Sequence, residues 1–300
     1  MSGLDHVGEL AALATAGCWT ITAMVFESAG KRVGSLTVNL VRLLFATILL
    51  GVWGAITRGV PVPFDATPEA WGWLAASGVV GLTFGDLCLF RALVLIGARL
   101  SLLVMSLVPP MTAILGWIAL GERLDTTDLI GMALTVGGVV YVVLERRPAG
   151  GSEVSKRDRR AGVLLCLGGA LGQAAGLILS KIGMKSYDAF SATQIRVIAG
   201  MVGFALIFCF IGWWPRVASA FKDGRAVAII GAGSVFGPFL GISLSLIAVQ
   251  NTEAGVAATI MAIVPVLIIV PSVVIKKERI SARAIIGAIV AVAGVGVMFL

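Results

Sequence analysis

Long apolar runs alternate with short polar breaks along the whole chain. Each run has about 18–23 residues, and a helix of that length, rising about 1.5 Å per residue, crosses a hydrocarbon core of about 30 Å. The pattern therefore predicts an all-α integral membrane protein with ten transmembrane helices. The predicted spans are 8–28, 36–57, 71–94, 98–120, 127–144, 161–183, 190–212, 226–248, 254–275 and 282–300.

The largest polar break divides the chain into two halves. Residues 145–162 read ERRPAGGSEVSKRDRRAG, where Pro, Gly, Ser and alternating charges replace the apolar pattern. We therefore predict a first repeat over 8–145, a charged linker over 146–160 and a second repeat over 161–300. A smaller polar segment at 58–70 contains three prolines and is predicted to be the loop between the second and third spans.

The two halves are copies of one another. Residues 81–144 and 237–300 align without a gap at an offset of 156, and about 14 of these 64 positions are identical. Five spans in each half is an odd number, so the second half must enter the membrane upside down relative to the first. The chain is thus predicted to be two inverted five-helix repeats, an architecture that many secondary transporters share.

Composition and charge restrict the location of the protein. The chain is 58% hydrophobic and 13% charged, with a mean hydropathy of +1.02, so it has too little polar surface for a soluble globule. Seventeen Lys and Arg residues fall in the odd-numbered loops and four in the remaining loops. By the positive-inside rule we expect a multi-pass protein of the cell (inner) membrane, with a cytoplasmic linker and both termini outside. The basic residues behind the net charge of +7 are therefore interpreted as the determinants of orientation in the membrane. No nucleic acid partner is predicted.

Few residues could support a metal site or enzymatic chemistry. The four cysteines fall inside spans without a C-x-x-C pair, and the only histidine is His6 near the N-terminus. No metal site and no cofactor are predicted, and an intramembrane enzyme is disfavoured because a protease would need a Ser-His pair or two facing aspartates. No G-x-x-x-x-G-K-[ST] loop is present, so nothing indicates an ATP-driven pump.

Residues 84–147 resemble an EamA-type domain of the drug/metabolite transporter superfamily. The shared marks are an alanine-ended third span, a proline within the fourth span, a Gly-Glu at its end and a glycine-rich fifth span. The second half resembles the same domain: it keeps Pro265 and Glu278, with Lys277 in place of the glycine. The resemblance covers nearly the whole chain and implies two EamA domains. Bacterial members of this family usually have both termini in the cytoplasm, opposite to the orientation that the charge count predicts here.

The resemblance and the inverted repeat together predict a secondary active transporter, an exporter or exchanger that works by alternating access. The family handles amino acids, sugars, nucleotide-linked metabolites and drugs, so we expect a small metabolite such as an amino acid or a related polar compound. A flippase for a lipid or lipid-linked substrate remains an alternative. The predicted partners are the substrate, the lipid bilayer and a coupling proton, and the chain is expected to be a monomer or a homodimer.

Three ionisable residues inside the spans are the first candidates for a substrate site. Arg42 and Arg196 occupy equivalent positions, 154 residues apart. Each lies about 10 Å into the second span of its repeat. They could hold an anionic or carboxylate-bearing substrate, or they could extend toward the nearer headgroups. Asp86 could pair with Arg42 or with Arg91, or take up a proton during transport; a structural ion pair is the alternative.

Polar and aromatic residues on spans 1, 2, 6 and 7 complete the predicted substrate site. Trp19 and Gln173 are equivalent by the 154 offset, and Asn39 and Gln194 lie on the second spans of the two repeats. The alternative is a buried tryptophan and amides bonded between helices. Glu27 and Lys181 are also equivalent and could form a pair between the repeats. Within spans 4 and 9, Pro109 and Pro265 are predicted to be hinges or permanent bends.

Overall fold

The computed structural model describes residues 6–145, 155–271 and 282–300, and this part of the chain folds into ten membrane helices. Nine are long and apolar enough to cross a membrane, and the last is a shorter apolar helix. The predicted fold class is confirmed: an all-α membrane protein with five helices in each half. The helices are α1 (Val7–Val33), α2 (Ser35–Arg58), α3 (Pro68–Gly97), α4 (Leu100–Leu120), α5 (Thr126–Leu144), α6 (Lys156–Met184), α7 (Ala189–Ile211), α8 (Gly224–Asn251), α9 (Ala254–Pro271) and α10 (Ala282–Val297).

Several helices are longer than their apolar runs. Helix α1 continues to Val33, and α6 begins at Lys156 because the Ser155 hydroxyl accepts a hydrogen bond from the Asp158 backbone N–H at 3.1 Å. Such caps fix helix ends in polar sequence that a hydropathy pattern does not register. The C-terminal end of the predicted ninth span, with Lys277 and Glu278, and most of the predicted linker lie outside the described residues.

The third helix of each repeat packs on the first two helices of the other repeat. Helix α3 lies against α6 and α7, and α8 lies against α1 and α2. Helix α4 contacts α9, and α5 contacts α10, so the remaining helices also pair between equivalent partners. The two repeats therefore share one interior and do not form two separate bundles.

Glycines allow the close crossing of α5 and α10. A Cβ placed at Gly138 would lie 2.5 Å from the Ala291 nitrogen, and one placed at Gly294 would lie 2.5 Å from the Thr135 nitrogen. Helices gain little from apolar burial against one another inside a lipid bilayer, so small residues that permit close backbone contact hold them together.

Helices α3 and α8 each contain a π-helical segment at an equivalent place. The segments are Gly78–Gly85 and Val235–Gly241, and the second includes Pro238. Wide π-turns of this kind recur at functional sites. The first segment contacts α6 and α7, and the second contacts α1 and α2, so both lie at the interface between the repeats.

Helices α4 and α9 are interrupted before the two predicted hinge prolines. The turns at 106–107 and 262–263 are equivalent, and each is followed by a helical segment in which Pro109 or Pro265 occupies the first turn. Proline is tolerated in a first turn because its missing N–H would have no helical partner there. Both prolines thus mark a helix start within the span, and their role as hinges remains a prediction.

The outer surface is apolar, as a lipid-facing surface requires. Phe210 is 90% exposed and Ile56 is 77% exposed. Many buried hydroxyl groups in the interior donate to backbone carbonyls, for example Thr259 to Gly255 at 2.7 Å. A protein with exposed large aliphatic and aromatic side chains around its circumference belongs in a bilayer.

Candidate functional site

A buried ionic cluster lies where the two repeats meet. Arg42 on α2 donates a hydrogen bond to Asp86 on α3, and Arg196 on α7 interacts electrostatically with the same carboxylate. The side chains of Arg42 and Asp86 are 17% and 12% exposed, and Arg196 is 5% exposed. Of the two partners considered for Asp86, the structure therefore selects Arg42; the Arg91 side chain is exposed.

The π-helical segments set the position of this cluster. Asp86 is the first residue after the segment Gly78–Gly85. A Cβ at Gly78 would lie 2.2 Å from the Arg196 carbonyl oxygen, and one at Gly81 would lie 3.7 Å from Arg196 Nη2. Only glycine allows the backbones of α3 and α7 to approach this closely, and this approach brings Arg196 near Asp86.

Trp19 and Gln173 occupy equivalent places beside the ends of the two segments. A Cβ at Gly241 would lie 2.7 Å from Trp19 Nε1, and one at Gly85 would lie 3.5 Å from Gln173 Cγ. Gln173 is therefore next to the residue that precedes Asp86. The equivalence that the sequence predicts between Trp19 and Gln173 is thus matched by equivalent packing in the structure.

Four buried polar groups near the cluster form two symmetric pairs. The Nε atoms of Arg42 and Arg196, Asn39 Nδ2 and Thr193 Oγ1 have no hydrogen-bond partner among the described residues. Asn39 and Thr193 are equivalent by the same 154 offset as the arginines, and each lies three residues before its arginine, on the same helix face. Buried polar groups are nearly always hydrogen-bonded, so four orphans at related positions are a mark of a site.

The sequence profile of the EamA-like transporter family matches residues 6–144 and again residues 160–300. The chain belongs to the EamA-like transporter family. It is thus a multi-pass membrane protein of the drug/metabolite transporter superfamily, whose members are transporters rather than enzymes.

The chain is similar in sequence to a yeast membrane protein and similar in fold to a protein of known crystal structure. The uncharacterized membrane protein YMR253C of Saccharomyces cerevisiae is 25% identical in an alignment 188 positions long, which covers 58% of this chain and 45% of the yeast protein. The match therefore spans less than half of the yeast protein. One crystal structure superimposes with a TM-score of 0.78 at 20% identity, covering 97% of this chain and 95% of the other. That similarity establishes a shared fold.

Gln194 lies apart from the ionic cluster of the EamA repeats. Its Nε2 donates to the Pro61 carbonyl at 2.8 Å, so the amide ties α7 to the loop between α2 and α3. Asn39 and Gln194, both predicted for the substrate site on the second spans, are not equivalent to one another, and the residue equivalent to Asn39 is Thr193. Applying the 154 offset to Asn39 would have identified Thr193; for Ser243, another buried hydroxyl without a partner among the described residues, no such signal exists.

Polar contacts between the two EamA repeats join them at one end of the bundle. We call this the loop end; it is formed by loops 59–67, 121–125, 185–188 and 252–253. Lys181 Nζ lies 2.6 Å from Glu122 Oε1 and 2.7 Å from the Thr252 carbonyl oxygen. Glu122 Oε2 also accepts a hydrogen bond from the Ala254 N–H at 2.9 Å. Lys181 therefore pairs with Glu122, and the possible pair with Glu27 does not form.

A second network lies in the loops of the same end. Arg58 pairs with Asp65, and the Tyr187 hydroxyl donates to Asp65 Oδ1 at 3.0 Å. Burial alone would raise the pKa of Asp65, but the hydrogen bonds from Tyr187, its own backbone and Arg58 hold that pKa below its ordinary value. Burial raises the pKa of the Tyr187 hydroxyl. This network joins the loop of one repeat to that of the other.

The opposite end, which we call the linker end, has a surface cavity of about 380 Å³ between α1 and α8. Its lining includes Glu27, Lys31, Arg32 and Arg225, so it is predominantly basic. Glu27 pairs with Lys31 at 2.6 Å. Phe26, beside Glu27, contacts the Arg42 guanidinium at 5.7 Å from its ring centroid, which links α1 to the ionic cluster.

Within 6–145, 155–271 and 282–300, no group of three or more His, Cys, Asp or Glu side chains is arranged to hold a metal ion. The side chains of the described cluster offer ionic recognition and hydrogen bonding. They include two guanidinium groups, one carboxylate, an amide and a hydroxyl on helices from both EamA repeats.

Proposed function

We propose that this EamA protein is a secondary active transporter of a small metabolite, such as an amino acid or a related polar compound. The substrate binds between the repeats at Arg42, Asp86 and Arg196, with Asn39 and Gln173 beside them. The observation that carries this proposal is the buried ionic cluster at the junction of the repeats.

The energetic cost of the cluster supports a functional role. An ionisable side chain inside a bilayer costs at least about 2.5–3.5 kcal/mol on insertion scales, so three of them in one place need a compensating use. In inverted-repeat transporters, substrates bind near the membrane midplane at the repeat interface. The cluster occupies the corresponding junction in this chain.

Ion pairs between the repeats at both ends of the bundle support alternating access. Lys181 pairs with Glu122 at the loop end, and Arg32 pairs with Asp223 at the linker end. Exchange of conformations between the two inverted repeats would break the contacts at one end and keep those at the other. With the orientation that the charge count favours, the linker end faces the cytoplasm.

Asp86 is the proposed site of proton coupling. It is the carboxylate of the cluster, and protonation would release Arg42 from its ion pair. The freed Arg42 could then bind an anionic group of the substrate, so proton binding at Asp86 and substrate binding at Arg42 are coupled by linkage.

The proposal is tested by thermal stabilisation of the detergent-solubilised protein across a metabolite panel, comparing wild type with Arg42→Ala and Arg196→Ala. We expect one chemical class to raise the unfolding temperature of the wild type, and either substitution to abolish that shift. Lys222→Ala, on an exposed loop residue, is the matched control. If the shift persists in both arginine variants, the arginines are structural and do not bind the substrate. If no metabolite acts and lipids do, the protein handles lipid.

A further inference from the structure

The ionic cluster is not electrically balanced. It contains two guanidinium groups and one carboxylate, which leaves one positive charge. Among the described residues, Asp86 and Arg196 are the only charged residues that are less than 9% exposed, and the side chain of Arg42 is 17% exposed. The position equivalent to Asp86 in the second repeat is Ile242, so the repeat symmetry supplies no second carboxylate.

The orphan groups around the cluster are hydrogen-bond donors. Arg42 Nε, Arg196 Nε and Asn39 Nδ2 can only donate, and the Thr193 hydroxyl can donate. Arg196, Asn39 and Thr193 are at least nine-tenths buried. A buried set of unused donors around an excess positive charge is complementary to a group that only accepts, and an oxyanion is such a group.

We infer that the substrate is a small organic monoanion whose carboxylate binds between Arg42 and Arg196. This inference rests on the proposed transport function and specifies its substrate class. With one monoanion bound, two positive and two negative charges cancel, and the loaded site is neutral. Asn39 and Thr193, one turn before the arginines, donate to the same carboxylate or to a polar group beside it.

Charge balance distinguishes a monoanion from ligands of any other net charge. A zwitterion or a neutral compound leaves one buried positive charge, and a dianion leaves one negative charge. Because an unpaired charge in a water-poor interior is costly, the site should prefer the ligand that cancels its own charge. Asp86 makes the difference: without it, the two arginines would balance a dianion.

The test uses two ligand series of constant skeleton and varied charge. The aliphatic series, of three carbons throughout, is propanoate, malonate, alanine, propanamide and propylamine. The second series is the phenyl-substituted analogues of the same compounds. Binding is measured by thermal stabilisation of the purified full chain, and transport by counterflow of radiolabelled ligand into proteoliposomes.

We expect the monoanion of at least one skeleton to bind wild type at least about tenfold more tightly than its matched amide, amine, amino acid and dianion. Loss of one charge-assisted contact in Arg196→Gln should weaken monoanion binding about 10- to 100-fold. Asp86→Asn should shift the preference toward the dianion, and Lys222→Gln, the exposed control, should bind as wild type does. If Asp86→Asn does not fold, Ile242→Asp replaces it and should abolish the monoanion preference, since it balances the site without a ligand.

The inference is overturned if a zwitterion, amide or amine binds wild type more tightly than its matched monoanion, or if no monoanion stabilises the protein. These failures differ from a failure of the transport function. Counterflow of an uncharged or zwitterionic compound would keep the transport function and remove the inferred substrate class. Monoanion binding without counterflow of any ligand would keep the anion site and contradict transport.

Discussion

The two EamA repeats share a scaffold and differ in charge. Arg42 matches Arg196, and the π-helical segments and interrupted helices recur at equivalent positions. Asp86, however, is matched by Ile242. The symmetric scaffold is what the proposed alternating access requires, while the unmatched carboxylate lowers the positive charge that the two matched arginines give to the cluster. Equivalent substitutions should therefore act alike in the scaffold and differently at this carboxylate.

The largest effect is expected for Asp86→Asn, which removes the unmatched charge. Breaking a buried ion pair by removing one partner costs about 3–5 kcal/mol, because the other charge stays buried and uncompensated. We expect a large fall in the unfolding temperature and loss of accumulation against a gradient, with exchange partly retained. The double variant Asp86→Asn/Arg42→Gln should recover part of the stability. Equal loss of accumulation and exchange would count against proton coupling at Asp86.

The symmetric helix crossing provides the second prediction. Gly138→Val and Gly294→Val should each destabilise the protein by about 1–3 kcal/mol or more, because the added side chain meets backbone atoms of the facing helix. Gly137→Val is the control, since nothing lies within 4 Å of a Cβ placed there. Thermal unfolding in detergent measures all three. A large difference between the Gly138 and Gly294 variants would contradict the equivalence of the two repeats at this crossing.

The third prediction concerns the ion pair between Glu122 and Lys181, which joins the two repeats at the loop end. Glu122→Gln should weaken the pair with Lys181 while keeping an acceptor for the Ala254 N–H. We expect a moderate shift toward conformations open at that end, measured as faster labelling of a cysteine introduced at position 252. Glu69→Gln, which alters the exposed pair with Lys185, is the control and should leave labelling unchanged.

The smallest effect is expected in the loop of the first repeat. The folded state holds the pKa of Asp65 below its ordinary value. The resulting stabilisation is complete above the unfolded pKa of about 3.9 and is lost as the pH falls through the lower folded pKa. Because Asp65 is largely exposed, Asp65→Asn should cost less than about 1 kcal/mol at neutral pH and reduce the acid sensitivity of unfolding. An Asp65→Asn variant with unchanged acid sensitivity would contradict this assignment.

Hydropathy and internal repetition were sufficient to predict the ten helices and their division into two halves. These features follow from the length of a membrane span and from residue identities at a fixed offset, both of which are visible in a sequence. The polar ends of α1 and α6 were missed because caps and charged turns carry no apolar signal.

The candidate site was predictable only in part. Charges inside apolar spans identified Arg42, Asp86 and Arg196, because a bilayer makes such residues conspicuous. The contact partner of Asp86 depended on how α2 meets α3, and the bond from Gln194 to Pro61 depended on the path of a loop. The π-helical segments lie where α3 and α8 pack against helices of the other repeat, and the hydropathy pattern does not distinguish them from α-helix.

Counterflow into proteoliposomes, comparing wild type with Arg42→Gln and Arg196→Gln, tests the central claim most directly. That claim is that two equivalent arginines from the two repeats bind one substrate inside a transporter. The account predicts that preloaded wild-type liposomes accumulate a labelled organic monoanion and that both variants lose this accumulation. Accumulation by both variants at the wild-type rate would contradict it.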